Sequence, residues 1–368
     1  MRIEHIDDVL PHISGRDEFV VARKDGYTVI DYIFQVPDSF AHPMRRECRG
    51  LKFNAAGKLI CRPLHKFRNL GEDDEHQVHR FDLSHPHTLT VKLDGSMIAP
   101  MLLNDELVFT TRMGRTEVAI AAEELLTPSL TAALRKALLG GVTPVFEWTG
   151  PKNRIILRYE TPQLTLLAVR RMLDGAYWSH AEVEAIAAQW GTAVVPTLRG
   201  NWASLVALAE YTRDLKDAEG FVLRFDDGRW IKIKAFEYIT KHRAKDSITL
   251  EKNALALVLT NGLDDVLPLL DEPDRVAVER YARDVRVGIS DTAEVIRVIV
   301  TTGAGLTQKE FAVDHLPQML SAGGFAPLLR PLAFQVRKGT NPTEAITAMI
   351  LDHVGSRTQV DEVRGLFK

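Results

Sequence analysis

The chain has 368 residues, enough for two domains, and its 45% hydrophobic and 26% charged residues are the balance of a folded globular protein. The formal net charge of −3 argues against a general nucleic-acid coat protein, and no run approaches the ~18 apolar residues of a membrane-spanning helix. Two cysteines, Cys48 and Cys61, are too few for a disulfide framework, and the N-terminal residues lack a signal-peptide pattern, so we expect a cytoplasmic protein.

From about residue 50 to residue 234, short apolar runs rich in β-branched and aromatic residues alternate with turn residues. The first two runs surround a turn at residues 55–57. The clearest hairpin is the sequence EGFVLRFDDGRWIKIK, in which Asp227 and Gly228 form the turn signal. This pattern predicts a domain built mainly from antiparallel strands.

Helices are expected at two places within this β-rich region. Thr127 and Pro128 begin one of them, because threonine caps a helix and proline suits its first turn. Ser179 and Glu182 form a capping box that begins the other.

After about residue 243 the β-rich runs stop, and apolar residues recur at helical spacing, as in DRVAVERYARDV, DTAEVIRVIV and PTEAITAMILDHV. The sequence therefore predicts the α+β class, with an α+β domain over residues 1–243 and an all-helical domain over residues 244–368.

Two segments are strongly basic despite the near-neutral mean. Residues 41–70 contain eight lysines and arginines against one acid, and residues 229–245 contain six against one. Such segments often form solvated faces, but basic clusters with interleaved apolar residues are also typical of polyphosphate and nucleic-acid sites.

The string Val91-Lys92-Leu93-Asp94-Gly95 joins a lysine to an Asp-Gly turn. The string is short, and a strand that enters a turn beside a solvated lysine explains it equally well. Its meaning depends on what accompanies it.

Two further elements accompany Lys92. Glu147 interrupts an apolar strand, and burial of an unpaired carboxylate is costly, so this side chain needs exposure or a partner. Glu219 begins the hairpin and should lie opposite about residue 235, next to Lys234. Lys232 and Lys234 share one face of the return strand, where they repel unless an anion lies between them. A solvated edge strand is the alternative.

These elements, in this order, resemble the covalent nucleotidyltransferases, which include DNA ligases, RNA ligases and mRNA capping enzymes. Within that superfamily the sequence is most similar to RNA ligase 1 of T-even bacteriophages and its relatives. The matching segments are RGLKF at residues 49–53, PLHKFRN at 63–69, the Lys92 string, FEWTGP at 146–151 with NRI at 153–155, the Glu219 hairpin, and Tyr238.

The resemblance implies a nucleotidyltransferase domain of the ATP-grasp-like ligase type, with antiparallel sheets, over residues 1–243. It also implies a mechanism: family members form a lysine–AMP phosphoramidate, transfer AMP to an RNA 5′-phosphate, and join that end to a 3′-hydroxyl. Lys92 is the implied nucleophile. The implied ATP-binding residues are Arg49, Lys66, Val91, Lys92, Asp94, Gly95, Glu147, Glu219, Lys232 and Lys234.

The cofactors that the resemblance implies are ATP, as the AMP donor, and Mg²⁺ or Mn²⁺. Asp94, Glu147 and Glu219 are expected to face the metal ion through water, because Mg²⁺ gives up its hydration shell reluctantly. A free lysine is almost wholly protonated at neutral pH. Nearby cations such as Lys232 and Lys234 would favour the neutral, nucleophilic amine of Lys92.

Two residues supplement this set. Tyr238 matches the family four residues after Lys234. Arg112 stands where relatives usually carry lysine, so it keeps the charge but not the geometry.

The expected partner is RNA with 5′-phosphate and 3′-hydroxyl ends, with nicked tRNA as a candidate in RNA repair. The all-helical domain is a candidate for RNA or tRNA recognition. The sequence contains no kinase or phosphatase that heals RNA ends, so a separate end-healing enzyme is expected, and no membrane partner is.

Two alternatives stay open. A DNA ligase or capping enzyme would carry a β-barrel domain after the last lysine, where the sequence shows no strand pattern. A noncatalytic RNA-binding protein with a degenerate nucleotide pocket would fit the basic segments, but not the intact lysine, both glutamates and both final lysines.

Overall fold

The computed structural model describes residues 1–200, 202–320 and 326–367, with residues 326 and 327 described by their backbone alone. The chain divides into two compact units, Met1–Ile239 and Thr240–Lys368. Among the described residues, no helix combines the length and apolar character needed to cross a membrane.

The first unit contains three sheets, and most of their neighbouring strands are antiparallel. Sheet A has the order β1-β2-β3-β4, sheet B the order β11-β10-β9-β7-β8, and sheet C the order β5-β13-β12-β6. The strands are β1 Phe19–Lys24, β2 Tyr27–Tyr32, β3 Leu51–Asn54, β4 Leu59–Cys61, β5 Arg68–Asn69, β6 His87–Val91, β7 Ser96–Leu103, β8 Glu106–Thr110, β9 Val142–Thr149, β10 Gln163–Arg171, β11 Ala193–Val194, β12 Gly220–Phe225 and β13 Trp230–Lys234.

The helices that begin in the first unit are α1 Leu10–Ile13, α2 Pro43–Glu47, α3 Glu117–Glu123, α4 Pro128–Leu139, α5 His180–Trp190, α6 Leu205–Arg213 and α7 Phe236–Thr249. The predicted starts of α4 and α5 are confirmed. Thr127 caps α4 through its side chain, and Ser179 and Glu182 form the capping box of α5.

Sheets B and C enclose the core that positions the site. Val145 and Leu167 of sheet B pack with Val222 and Trp230 of sheet C. The opposite face of sheet C packs on α6 through a second cluster that contains Leu223 and Leu208. Because side chains alternate along a strand, Val222 and Lys232 point to the space between the two sheets.

The register of the β12–β13 hairpin agrees with the sequence prediction. Gly220 pairs with Lys234, and the carbonyl of Glu219 accepts a hydrogen bond from the N–H of Ala235 at 3.0 Å. Gly220 has φ +132, and a Cβ there would lie 2.1 Å from the Ile233 carbonyl oxygen, so the close approach of the two strands requires glycine.

The strands on either side of Lys92 belong to different sheets, because β6 ends at Val91 and joins sheet C, whereas β7 begins at Ser96 and joins sheet B. One aspect of the fold differs from the sequence prediction. The β1–β2 hairpin of sheet A precedes residue 50, where no strand was expected.

The second unit is helical over its described residues, 240–320 and 326–367, where no strand occurs. Its long helix α9 buries residues at helical spacing, including Val278, Val285 and Ile296, in a core shared with the other helices. After α7, its helices are α8 Glu251–Leu259, α9 Glu272–Thr302, α10 Gln308–Glu310, α11 Leu316–Leu320, α12 Ala326–Arg337, α13 Pro342–Leu351 and α14 Arg357–Val363, with a π-helix at Phe311–His315.

Short 3-10 helices complete the description. They lie at Ile6–Asp8, Asp74–His76, Val78–Arg80 and Pro151–Asn153 in the first unit, and at Leu267–Leu269 and Arg364–Leu366 in the second.

Candidate active site

Lys92 lies where the chain leaves sheet C for sheet B. Its backbone N–H donates to the carbonyl of Gly220 at 2.9 Å, and Val91 pairs with Phe221 across β6 and β12. The backbone N–H of Val91 also donates to the Pro196 carbonyl at 2.8 Å. This pairing holds the Lys92 string beside the start of the Glu219 hairpin.

Glu219 connects two of the predicted site lysines. Its Oε2 lies 2.8 Å from Nζ of Lys92, and its Oε1 lies 3.1 Å from Nζ of Lys234. The residue is 3% exposed, so this carboxylate is a buried bridge rather than a surface ion pair.

Lys232 is surrounded by the other cationic side chains of the site. Its pKa is well below the ordinary value, first because burial removes water and then because Arg49, Lys66, Lys92 and Lys234 are close. Among the described residues, no carboxylate lies within ion-pair distance of Lys232, and its Nζ rests 4.7 Å above the Phe67 ring. We call these five residues, Arg49, Lys66, Lys92, Lys232 and Lys234, the cation cluster.

The two remaining members of the cation cluster are held by aromatic and sulfur contacts. Nζ of Lys66 lies 5.3 Å from the ring centres of both Tyr32 and Phe40. Nη1 of Arg49 lies 3.2 Å from Sδ of Met97. Five cations around the carboxylates of Glu147 and Glu219 leave an excess of positive charge, which an anionic ligand would neutralise.

Glu147 is buried on β9, and its Oε1 accepts a hydrogen bond from the N–H of Gly95 at 3.1 Å. Burial raises its pKa to about 7, and the charge of Glu219 adds to this effect, whereas Lys92 and Arg49 oppose it. The sequence had left open whether this carboxyl is exposed or partnered, and the structure partners it with the backbone of the Lys92 string.

Asp94 is held by hydrogen bonds within the protein. Its Oδ2 accepts hydrogen bonds from the N–H groups of Ile156 and Leu157, at 2.7 and 2.6 Å, and its Oδ1 accepts one from the Tyr238 hydroxyl at 2.7 Å. The residue is only 2% exposed. Asp94 and Tyr238 thus brace the loop that carries Lys92, and the metal contact of Asp94 stays a prediction.

Gly95 is required by a contact other than the predicted one with the nucleotide. A Cβ at Gly95 would lie 2.3 Å from the Trp148 carbonyl oxygen, so glycine lets this loop approach β9.

Arg112 contacts two residues of sheet A. Its Nε lies 3.0 Å from Oδ2 of buried Asp31, and its guanidinium carbon lies 4.5 Å from the centre of the Tyr32 ring. Its charge is thus engaged by sheet A.

Sequence reasoning missed two residues that support the site. The hydroxyl of Tyr159 accepts a hydrogen bond from the backbone N–H of Asp94 at 3.0 Å, and no sequence signal distinguished it. Asp31 lies in the unpredicted β1–β2 hairpin, where its pKa is raised to about 6, mainly by burial and against the effect of Arg112.

The residues fit a divalent metal ion only in part. Among the described residues, no group of three or more His, Cys, Asp or Glu side chains is arranged to hold a metal directly. Glu147 and Glu219 do fit contacts through water, because both are carboxylates beside Lys92 and a nearby cation would favour the ionised form of Glu147, whose pKa is raised mainly by burial.

Comparisons with known proteins point to one family. A model of an RNA ligase family matches residues 47–245. A protein named "Putative RNA ligase" from Thermovibrio ammonificans is 31% identical over 297 residues, which are 77% of this chain and 75% of that protein. RNA ligase 1 of bacteriophage TS2126 is 26% identical over 368 residues, 92% of this chain and 88% of that protein.

Solved structures show a more distant likeness. An archaeal ATP-dependent RNA ligase is 13% identical and covers 97% of this chain and 94% of its own, at a TM-score of 0.48.

Proposed function

The chain belongs to this RNA ligase family, and we propose that it joins RNA ends through an AMP adduct on Lys92. The observation that carries the proposal is the placement of Lys92. Its amine lies 2.8 Å from buried Glu219, within a cluster of five cations that has two carboxylates beside it. A lysine held in this way can act as a nucleophile toward a phosphate.

In the first step, Nζ of Lys92 attacks the α-phosphorus of ATP. A phosphorus–nitrogen bond forms as the bond from the α-phosphorus to the bridging oxygen breaks, pyrophosphate leaves, and the protons that the lysine nitrogen loses pass to water. Lys234 stabilises the negative charge that develops on the phosphates, because Glu219 fixes its ammonium group before the reaction begins. Lys232 adds positive charge once the phosphates are bound, because a nearby anion opposes the burial that lowers its pKa. Glu219 orients the attacking amine.

In the second step, an oxygen of the RNA 5′-phosphate attacks the adduct, and the phosphorus–nitrogen bond breaks to free Lys92. In the third step, the RNA 3′-hydroxyl oxygen attacks the activated 5′-phosphorus and its proton passes to water. A phosphodiester bond forms as the bond between the 5′-phosphorus and the AMP oxygen breaks, and AMP leaves. The amine of Lys92 is consumed only in the first step, so the later steps do not require it.

The cofactors we propose are ATP and Mg²⁺ or Mn²⁺. A divalent ion near Glu147 and Glu219 would supply further positive charge to the reacting phosphates.

The proposed partners are RNA with 5′-phosphate and 3′-hydroxyl ends, nicked tRNA as the repair substrate, and a separate end-healing enzyme. The free buried thiols of Cys48 and Cys61 support a cytoplasmic location.

A sealing assay with matched RNA ends tests the proposal. The purified chain, with ATP and Mg²⁺, should convert 5′-phosphorylated single-stranded RNA to sealed product, and RNA with a 5′-hydroxyl should stay unsealed. Lys92→Arg should not seal the 5′-phosphorylated RNA, but it should seal RNA that already carries 5′-AMP. Sealing of 5′-phosphorylated RNA by Lys92→Arg at the wild-type rate would contradict the proposal.

A further inference from the structure

A cleft of about 750 Å³ opens beside the cation cluster in the first unit. Its lining comes from Arg46 and from four segments, within residues 37–41, 65–68, 73–81 and 228–230. Lys66 and Phe67 belong both to this cleft and to the surroundings of the cation cluster, because Lys232 rests on the Phe67 ring. A ligand in the cleft would therefore reach the cation cluster at Lys66. We call it the basic cleft.

Aromatic and guanidinium planes form part of the basic cleft. Phe40 and Trp230 are buried in its wall, and Phe81 is half-buried. The guanidinium of exposed Arg229 lies 5.8 Å from the Phe81 ring centre and 5.1 Å from that of Phe225. Unpaired bases stack on accessible aromatic rings and on arginine planes, and in the basic cleft these are the planes of Phe81 and Arg229.

The acidic residues of the basic cleft are mostly engaged. Asp73 lies 3.2 Å from Nε of Arg68, and Glu75 lies 3.6 Å from Nη2 of Arg46. The Arg229 pair with Asp227, at 2.7 Å, is about half exposed and contributes little.

Two cations of the basic cleft remain open to an anion. Among the residues that the structure describes, no carboxylate lies within ion-pair distance of Lys66 or Arg80. The side chain of Arg80 reaches only the backbone carbonyl of Asp74, at 3.4 Å. Open cations beside stacking surfaces are complementary to a nucleic-acid backbone and its bases.

We propose that the basic cleft binds a single-stranded segment of the RNA next to the end that is sealed. This inference rests on the proposed function and adds the location of the RNA strand. Ligand pockets span roughly 300–1,000 Å³, so a cleft of this volume admits a few nucleotides rather than a duplex. Single strands bind where stacking surfaces alternate with cations that follow the backbone.

The test uses the full-length double variant Arg80→Ala/Arg229→Ala. Fluorescence anisotropy should show binding of a short 5′-phosphorylated single-stranded RNA weakened about tenfold. The slope of log affinity against log salt should become shallower by about 0.7, because Arg80 is the open cation that the variant removes and each phosphate contact with a single strand contributes about 0.7. Formation of the Lys92–AMP adduct from ATP should proceed at the wild-type rate.

A matched control removes two exposed cations of the same unit that do not line the cleft. The variant Lys24→Ala/Lys136→Ala has the same change in net charge, and we expect RNA affinity within a factor of about two of wild type. Circular dichroism and thermal unfolding of both variants establish that each is folded.

Two outcomes overturn the inference. If the cleft variant and the control have equal RNA affinity and equal salt slope, the RNA strand does not bind in the basic cleft. Slower adduct formation with unchanged RNA affinity would assign the cleft to the phosphates of ATP. If wild-type protein binds RNA but forms no adduct, the proposed function fails, whereas the RNA affinity of the cleft variant still decides this inference.

Discussion

Among single residues, Glu219 has the central position, because its carboxylate contacts two lysines with different roles. Lys92 is the proposed nucleophile, and Lys234 stabilises phosphate charge. It orients the Lys92 amine at 2.8 Å and fixes the Lys234 ammonium at 3.1 Å. An ammonium that is fixed before substrate arrives stabilises developing phosphate charge without reorganisation.

This arrangement predicts a large effect of Lys234→Ala. Adduct formation on Lys92 should slow by about 10²- to 10³-fold, as when one fixed donor to a developing oxyanion is removed. Single-turnover labelling from ATP measures this rate, and Lys136→Ala, on the exposed side of α4, serves as the control. A near-wild-type rate for Lys234→Ala would mean that the β12–β13 hairpin has only a structural role.

The buried carboxyl of Glu147 predicts a pH-dependent stability. Its pKa is raised from 4.5 to about 7, so the folded state keeps this proton to a higher pH than the unfolded state. The stability that this group contributes is present below the unfolded pKa and is lost as pH rises through about 7.

Urea unfolding between pH 5 and pH 8 measures this loss. The free energy of unfolding of wild type, relative to Glu147→Gln, should fall by about 2–3 kcal/mol over that range. A difference that is constant with pH would mean that Glu147 is ionised in the folded state throughout.

The order of motifs along the chain was enough to predict that Lys92, Glu219 and Lys234 lie together, whereas the contacts of Asp94 and Gly95 were not predictable. The partners of Asp94 are Ile156, Leu157 and Tyr238, more than sixty residues away, and their approach depends on the packing of the whole unit. Gly95 is required by the carbonyl of Trp148 on another strand, which local sequence does not specify.

At the level of elements, the first turn of α7 is tied to the Lys92 loop by one hydrogen bond. The Tyr238 hydroxyl donates to Oδ1 of Asp94 at 2.7 Å, and both residues are buried. We expect Tyr238→Phe to lower the free energy of unfolding by about 1–3 kcal/mol, because it leaves a buried carboxylate oxygen without this donor.

Urea unfolding tests this expectation against Tyr211→Phe, which removes a hydroxyl from a tyrosine that is 43% exposed. The control should change stability by less than about 0.5 kcal/mol. Equal effects of the two substitutions would contradict the bracing role of Tyr238.

The hairpin of β12 and β13 shows what local sequence determines well. An Asp-Gly turn and alternating side chains fix the register, so the approach of Glu219 to Lys234 was predictable. The assignment of β6 and β7 to different sheets was not, because both are apolar runs and only long-range pairing separates them.

For the whole molecule, the loss of β-rich runs after residue 243 predicted a helical second part. The two compact units divide at Ile239 and Thr240, within α7. Sequence pattern gives element type over a long segment more reliably than it gives the residue at which a unit ends. The roles of the two units stay predictions.

These roles predict how a truncated chain behaves. A fragment that ends at Thr249 keeps α7 and every residue of the cation cluster, so it should still form the AMP adduct, with its folding checked by circular dichroism. It should lose discrimination between nicked tRNA and unstructured RNA, because recognition of RNA shape needs surface beyond the nucleotide site. Equal losses on both RNAs in a folded fragment would leave the helical unit as structural support.

The most direct test of the central claim is the intact mass of the protein after incubation with ATP and Mg²⁺, followed by peptide mapping. The mass should rise by one AMP, the adduct should map to Lys92, and Lys92→Ala should show no rise. An adduct that maps to another residue, or that persists in Lys92→Ala, would contradict the assignment of Lys92 as the nucleophile.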